Sequence, residues 1–207
     1  MLELVKSGGW LMIPIIICSV IAMAIIIERF WSLQEKKIIP HQQMVAQIWK
    51  WAQDNNLTGE RIKELRDSSP LGRILASGLM NANQTREVMK ESIVDTGRHV
   101  THELERYLSM LGTISVITPL LGLLGTVVGM IKVFSVITDV GVGNPGELAE
   151  GISQALITTA AGISVAIPSV IFHRFFRRKV DNLVVSMEQE SLKLVDVLHS
   201  QQEGKKD

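Results

Sequence analysis

Few side chains in this chain of 207 residues are placed to do chemistry. Thr126 and Thr159 offer hydroxyls, Gln154 an amide and Lys132 an ammonium, all set in long apolar runs. None forms a nucleophile–base pair, so no enzyme is expected. His99, His102 and Glu103 have a helical spacing that could hold a metal, but a solvated helix face is the simpler reading. Gly141-Val-Gly143-Asn-Pro-Gly146 satisfies G-x-G-x-x-G, yet it follows an apolar run and contains proline. It reads as a turn, not a dinucleotide site. Asn83-Gln-Thr85 matches a glycosylation sequon. The lone Cys18 can make neither an internal disulfide nor a Cys-based zinc site. No cofactor or metal is expected.

The chemistry is therefore sought in how the chain crosses a barrier. Basic and acidic residues balance at 21 each, so no basic surplus is available to neutralise phosphates. A nucleic-acid binder is not indicated. Three stretches carry no charge: Ser7–Ile27 with 21 residues, Tyr107–Ile131 with 25 and Gly151–Phe172 with 22. A bilayer core takes about 20 apolar residues in helical form, so each stretch can span it. The first lacks a small-residue cleavage site and ends in Glu28-Arg29, so an uncleaved span is expected rather than a signal peptide.

Lys and Arg set the expected orientation. Arg29, Lys36 and Lys37 follow the first span, Arg98 and Arg106 precede the second, and Arg174, Arg177, Arg178 and Lys179 follow the third. The connection 139–150 holds Asp139, Glu147 and Glu150 and no base. Residues 1–30 then form a periplasmic N-terminus and first transmembrane helix, and 31–106 a cytoplasmic helical region. Residues 107–138 form the second transmembrane helix, 139–150 a periplasmic turn, 151–173 the third helix and 174–207 a cytoplasmic C-terminal helix.

The polar segments read as helices. Short ones are expected over 41–53, near 60–67 and over 70–82, punctuated by Pro40, Asn55-Asn56, Gly59 and Ser68-Ser69-Pro70. From Gln84, an apolar stripe of Met89, Ile93, Val100, Leu104 and Leu108 leads to the second span with no Gly–Pro break between them, so one continuous helix is expected. Phe176, Val180, Val184, Met187, Ser191, Val195 and Leu198 form a matching stripe after the third span. The two stripes should pack on each other, with helices two and three extending into the cytoplasm. No period-two alternation appears, so the fold class is all-α, a polytopic membrane protein. Only Gln201–Asp207 look disordered.

The spans differ in kind. The first is rich in Ile on all sides, which suits lipid contact. The second carries Ser115, Thr118, Gly122, Gly125 and Gly129 on one face, and the third Ala155, Thr159, Gly162, Ala166 and Ser169. Small faces let helix backbones approach closely in a bilayer. They could pack only on each other or on copies of the chain, and a homo-oligomeric ring with the first span outside is the favoured expectation. Counting from a turn centred near Gly143 puts Thr126 and Thr159 at about one depth, and Pro119 and Pro168 likewise. Each hydroxyl could simply bond its own i−4 carbonyl, and spacing alone leaves that open. The three uncharged stretches contain no Asp, Glu or His. A proton relay normally uses such groups despite a cost of about 2.5–3.5 kcal/mol each, so the titratable group must come from another chain. Lys132 is expected to snorkel to the interface.

Pro119-Leu-Leu-Gly122-Leu-Leu-Gly125-Thr126-Val-Val-Gly129-Met-Ile and Gly151-Ile-Ser-Gln154-Ala-Leu-Ile-Thr158-Thr159-Ala-Ala-Gly162-Ile-Ser-Val-Ala-Ile-Pro168 resemble the ExbB/TolQ/MotA proton-channel family. The opening GGWLMIPIIICSVIAMAIIIERFWSL is most similar to ExbB. The resemblance implies a bacterial inner-membrane motor subunit. Copies would form a ring, usually of five, around the single-span helices of an ExbD-type partner. Proton flow would then drive movement relayed by a TonB-type protein to outer-membrane transporters. It also implies that Thr126 and Thr159 line the pore and face the partner's membrane aspartate. The family often has Glu where this chain has Gln154, so a proton-carrying role there is not implied, while a polar or structural one is. A TolQ-like subunit for envelope maintenance and a passive scaffold are the alternative functions.

Overall fold

The computed structural model describes residues 7–39, 58–82, 84–141 and 145–203. The expected helix over 41–53, with Pro40, Asn55 and Asn56, lies outside them, as do Asn83 and residues 142–144. In chain order the described helices are α1 Met12–Ser32, α2 Glu35–Ile38, α3 Gly59–Ser68, α4 Pro70–Met80, α5 Arg86–Leu104, α6 Leu108–Val140 and α7 Pro145–Glu203. No strand occurs among the described residues. Met12–Ser32 and windows within Arg86–Thr138 and Pro145–Leu198 are long and apolar enough to cross a membrane. The protein is an all-α, polytopic membrane protein.

Two compact units divide the chain: Met1–Glu28 with Tyr107–Phe175, and Arg29–Arg106 with Phe176–Asp207. In the first unit α6 and the front of α7 are seamed by small residues. A Cβ added to Gly129 would lie 2.8 Å from the Gly151 carbonyl oxygen, and one on Gly162 would lie 2.5 Å from that of Thr118. Backbones this close leave no room for a side chain, which is why glycine stands at both places. Pro119 and Pro168 lie inside α6 and α7 without ending them. Apolar bulk faces outward instead, with Leu120, Leu123, Val127 and Ile131 exposed on α6 and Leu156, Ile163 and Ile167 on α7.

That seam corrects the reasoning behind a ring, because the small faces of helices two and three are used up on each other within one chain. The expected all-round Ile coat of the first span is also corrected. α1 buries Ile15, Ala22, Ile25 and Ile26 and exposes Ile13, Ile17, Val20 and Met23.

The second unit is built like a soluble helical domain. Ser69 caps α4 by accepting a bond from the Gly72 N–H at 2.9 Å, and Pro70 opens the helix, where its missing donor costs nothing. Thr85 caps α5 in the same way. The two apolar stripes pack as expected: Met89, Val100, Phe176, Val180, Met187 and Val195 are all fully buried. Burial of each such side chain contributes about 1.5–3 kcal/mol. Phe30 meets Phe176 edge to face at 5.1 Å between ring centroids. A cavity of about 730 Å³ remains between α5 and the rear of α7, lined by Ile93, Val94, Val184 and Leu192 among others.

Several boundaries differ from the sequence expectation. α5 and α6 are not one continuous helix: α5 stops at Leu104, and Tyr107 adopts a left-handed backbone at φ 65° before α6 starts. Such a conformation is sterically costly for a residue with a Cβ. Arg29, only 4% exposed, donates to the Leu104 carbonyl at 3.1 Å, supplying the partner that this carbonyl loses at the break. The connection between α6 and α7 is shorter than 139–150, since α6 reaches Val140 and α7 begins at Pro145. At the C-terminus helix continues to Glu203 rather than fraying from Gln201.

Candidate functional site

The residues singled out by sequence fall along the α6–α7 seam of the first unit. Gly122 lies against the Thr159 backbone, Gly125 against the Thr158 side chain and Gly129 against Ala155, with Gly162 beside Thr118 and Gly122. Gly122 is level with Gly162, and Gly112 is level with His173. Pro119 and Pro168 therefore fall between the same two levels. Thr126 follows Gly125 directly, which brings Thr126 and Thr159 to one level within about a helical turn.

The two threonines use their hydroxyls differently. Thr126 Oγ1 donates to its own helix, to the Leu123 carbonyl at 2.6 Å. Thr159 Oγ1 donates across the seam to the Gly122 carbonyl at 2.9 Å. Both side chains are half-buried. Self-satisfaction thus describes Thr126 but not Thr159, whose hydroxyl bridges the two helices.

Thr158 is the residue that sequence reasoning passed over. It is fully buried, and its Oγ1 lies 2.7 Å from the Gln154 carbonyl and 3.0 Å from the Gly8 carbonyl. One hydroxyl proton is shared between two carbonyls, which ties the segment before α1 to α7. The Gly8-Gly9 doublet was the available signal. Gly9 has φ +70°, and a Cβ there would collide with the Gln154 amide nitrogen. Glycine is thus required both by the backbone conformation and by the close approach.

Gln154 does not stand alone. Lys132 Nζ donates to Gln154 Oε1 at 3.0 Å, so Lys132 reaches sideways onto α7. Over 122–132 of α6 and 154–162 of α7 the polar side chains are hydroxyls, one amide and one ammonium. None is a carboxylate that could exchange a proton along a path, and among the described residues no group of three or more His, Cys, Asp or Glu side chains could hold a metal. In the second unit Glu103 pairs with Arg73 at 2.8 Å rather than with the two histidines.

The fold and this seam define a class: a multi-pass membrane protein in which two long apolar helices meet through glycines, with a few uncharged polar groups among them. The sequence profile of the MotA/TolQ/ExbB proton channel family matches residues 66–189. The chain belongs to that family, and within it is most like ExbB. It is 33% identical to an ExbB-like biopolymer transport protein of Synechocystis, over 81% of this chain and 67% of that one. To the biopolymer transport protein ExbB of Aquifex aeolicus it is 34% identical, over 62% of this chain and 91% of the relative. With biopolymer transport protein exbB1 of Vibrio cholerae it shares 26%, over 90% and 83% of the two chains.

Proposed function

We propose that the chain is an ExbB-type subunit of a proton-driven motor in the bacterial inner membrane. Copies of it, five in the preferred reading, form a ring around the single-span helices of an ExbD-type partner. A TonB-type protein then carries the resulting movement to outer-membrane transporters. The N-terminus and the 141–144 connection lie on the periplasmic side, and Arg29–Arg106 and the C-terminus on the cytoplasmic side.

The observation that carries this reading is a polar stretch of the seam without a carboxylate. Thr126, Thr159 and Gln154 share a short stretch of α6 and α7 that holds no carboxylate. Such a path conducts only when another chain contributes a titratable group, which is what a partner's membrane aspartate would supply. In this reading the half-buried Thr126 and Thr159 present polar surface to the pore. Gly122, Gly125, Gly129 and Gly162 hold the two helices close enough for that surface to persist, with Pro119 and Pro168 at one level beside them. A large exposed apolar surface on α1, α6 and α7 is left for lipid and for neighbouring copies.

Energetics are compatible with a motor. One proton gains about 2.3 kcal/mol per 100 mV of membrane potential. Moving a two-state element from 1:99 to 99:1 takes about 5.5 kcal/mol, so two to three protons per step are adequate at about 100 mV.

Complementation tests the proposal. In cells lacking their own ExbB, this chain with its ExbD-type partner should restore energy-dependent uptake through outer-membrane transporters. Rescue of envelope integrity in cells lacking TolQ, without uptake, would move the assignment to the TolQ branch. Assembly without any partner-dependent proton flux would leave only a scaffold.

A further inference from the structure

We propose that Lys132, held by Gln154, is a docking station for a carboxylate carried on a second membrane helix, that of the partner subunit. The inference rests on the channel reading above and adds a residue and a contact to it.

Lys132 is the only Lys or Arg between Arg106 and Arg174. Its ammonium carries three N–H donors. The Gln154 amide oxygen takes one of them at 3.0 Å but offers no negative charge. Among the described residues Lys132 makes no ion pair. A cation in an apolar span is expensive unless it is paired, and its presence there points to a function whose partner has to be named. Here the chemistry names one. The surroundings are apolar and open: Ile131, Phe134 and Leu156 are 62%, 60% and 64% exposed. An ammonium set in such a surface fits an apolar helix bearing one acidic side chain. It does not fit a strongly hydrated soluble anion, which would have to shed its water against hydrocarbon.

Gln154 determines whether the station stays open. Its amide fixes the direction of the Lys132 side chain across the seam without consuming the charge. A carboxylate at the same place would close the pair within the chain and exclude the incoming helix. Six residues separate Lys132 from Thr126, about 9 Å along α6 at the helical rise. The docked carboxylate would thus lie well outward of the threonine level, giving the partner helix a second position distinct from the one beside Thr126 and Thr159.

Zero-length carbodiimide crosslinking in membranes from cells producing the full chain with its ExbD-type partner tests this directly. The reagent joins an amine to a carboxylate in contact with it, and peptide mass spectrometry locates the bond. The expected product links Lys132 to an Asp or Glu in the partner's apolar segment. Lys132→Arg should abolish that product while recovering much of the uptake lost in Lys132→Met. Gln154→Glu should lower the interchain product about tenfold and replace it with a 132–154 link inside one chain. Co-purification of the partner with each variant establishes that assembly survives. A wild-type link to Glu147 or Glu150 of the same chain would overturn the inference. Loss of bound anionic lipid in Lys132→Met, with the partner link absent from the wild type, would overturn it in favour of a phospholipid headgroup. Partner-dependent proton flux in the wild type, measured separately, keeps a failure here distinct from a failure of the channel reading.

Discussion

Where α6 meets the front of α7, the contact is made by Gly122, Gly125, Gly129 and Gly162 against backbone and short side chains, while Leu120, Leu123 and Ile131 point away. Around α5 and the rear of α7 the arrangement is reversed. Met89, Phe176, Val180 and Met187 fill the interior, and ion pairs such as Arg86–Asp196 at 2.6 Å decorate the outside. The same helix α7 takes part in both. In lipid, burying a leucine gains little, since the tails are as apolar as the side chain, so contact comes from close backbone approach. In water the gain follows the apolar area removed, so large side chains go inside. The solvent around each part of α7 therefore dictates which residues form its contact face.

Opposite mutational responses should follow. Removing volume should damage the second unit most: Phe176→Ala deletes a fully buried ring that meets Phe30 edge to face. A loss of about 3–5 kcal/mol is expected, read as a lowered unfolding midpoint of the purified protein in lipid nanodiscs. A change under about 1 kcal/mol would mean that the second unit lacks a tightly packed core.

Adding volume should damage the first unit. Gly162→Ala places a Cβ 2.5 Å from the Thr118 carbonyl oxygen, and backbone cannot yield as a flexible side chain would. The expected cost is about 1–3 kcal/mol. Gly97→Ala makes the same chemical change in α5, where nothing lies within 4 Å of the added atom. Relief of glycine's helix penalty should there stabilise by about 0.5–1 kcal/mol. Two Gly→Ala variants shifting the same way would break the contrast between the units.

A smaller effect separates the two threonines. Thr159→Val removes a hydroxyl that joins α7 to the Gly122 carbonyl, and such interhelical bonds average about 0.6 kcal/mol in a bilayer. Thr126→Val removes only a bond within α6 and should leave stability nearly unchanged. Both should reduce proton-coupled uptake. If Thr159→Val is as stable as Thr126→Val yet loses uptake, the Thr159 hydroxyl serves the pore and not the seam.

Much of this layout was legible in the chain itself. The uncharged stretches marked the spans, and the 3.6-residue stripes marked α5 and the rear of α7, because periodicity is local. Small residues at Gly122, Gly125, Gly129 and Gly162 marked a close contact, though not that a single chain would satisfy it. Contacts that depend on three-dimensional register were not legible. Arg29 read as an orientation marker, yet its guanidinium bonds the Leu104 carbonyl, 75 residues away. Lys132 read as a snorkelling cation because nothing local announces Gln154, 22 residues on. Nor does any Gly or Pro announce the left-handed Tyr107, so an unbroken apolar stripe passed through a break.

Proton flux into liposomes under an imposed potential tests the central claim most directly. Three preparations are compared: the chain alone, the chain with its ExbD-type partner, and the chain with a partner whose membrane aspartate is changed to asparagine. A seam with no carboxylate of its own predicts flux only from the second preparation. Flux from the chain alone, or undiminished flux with the asparagine partner, would show that the seam carries protons by itself and would contradict the account.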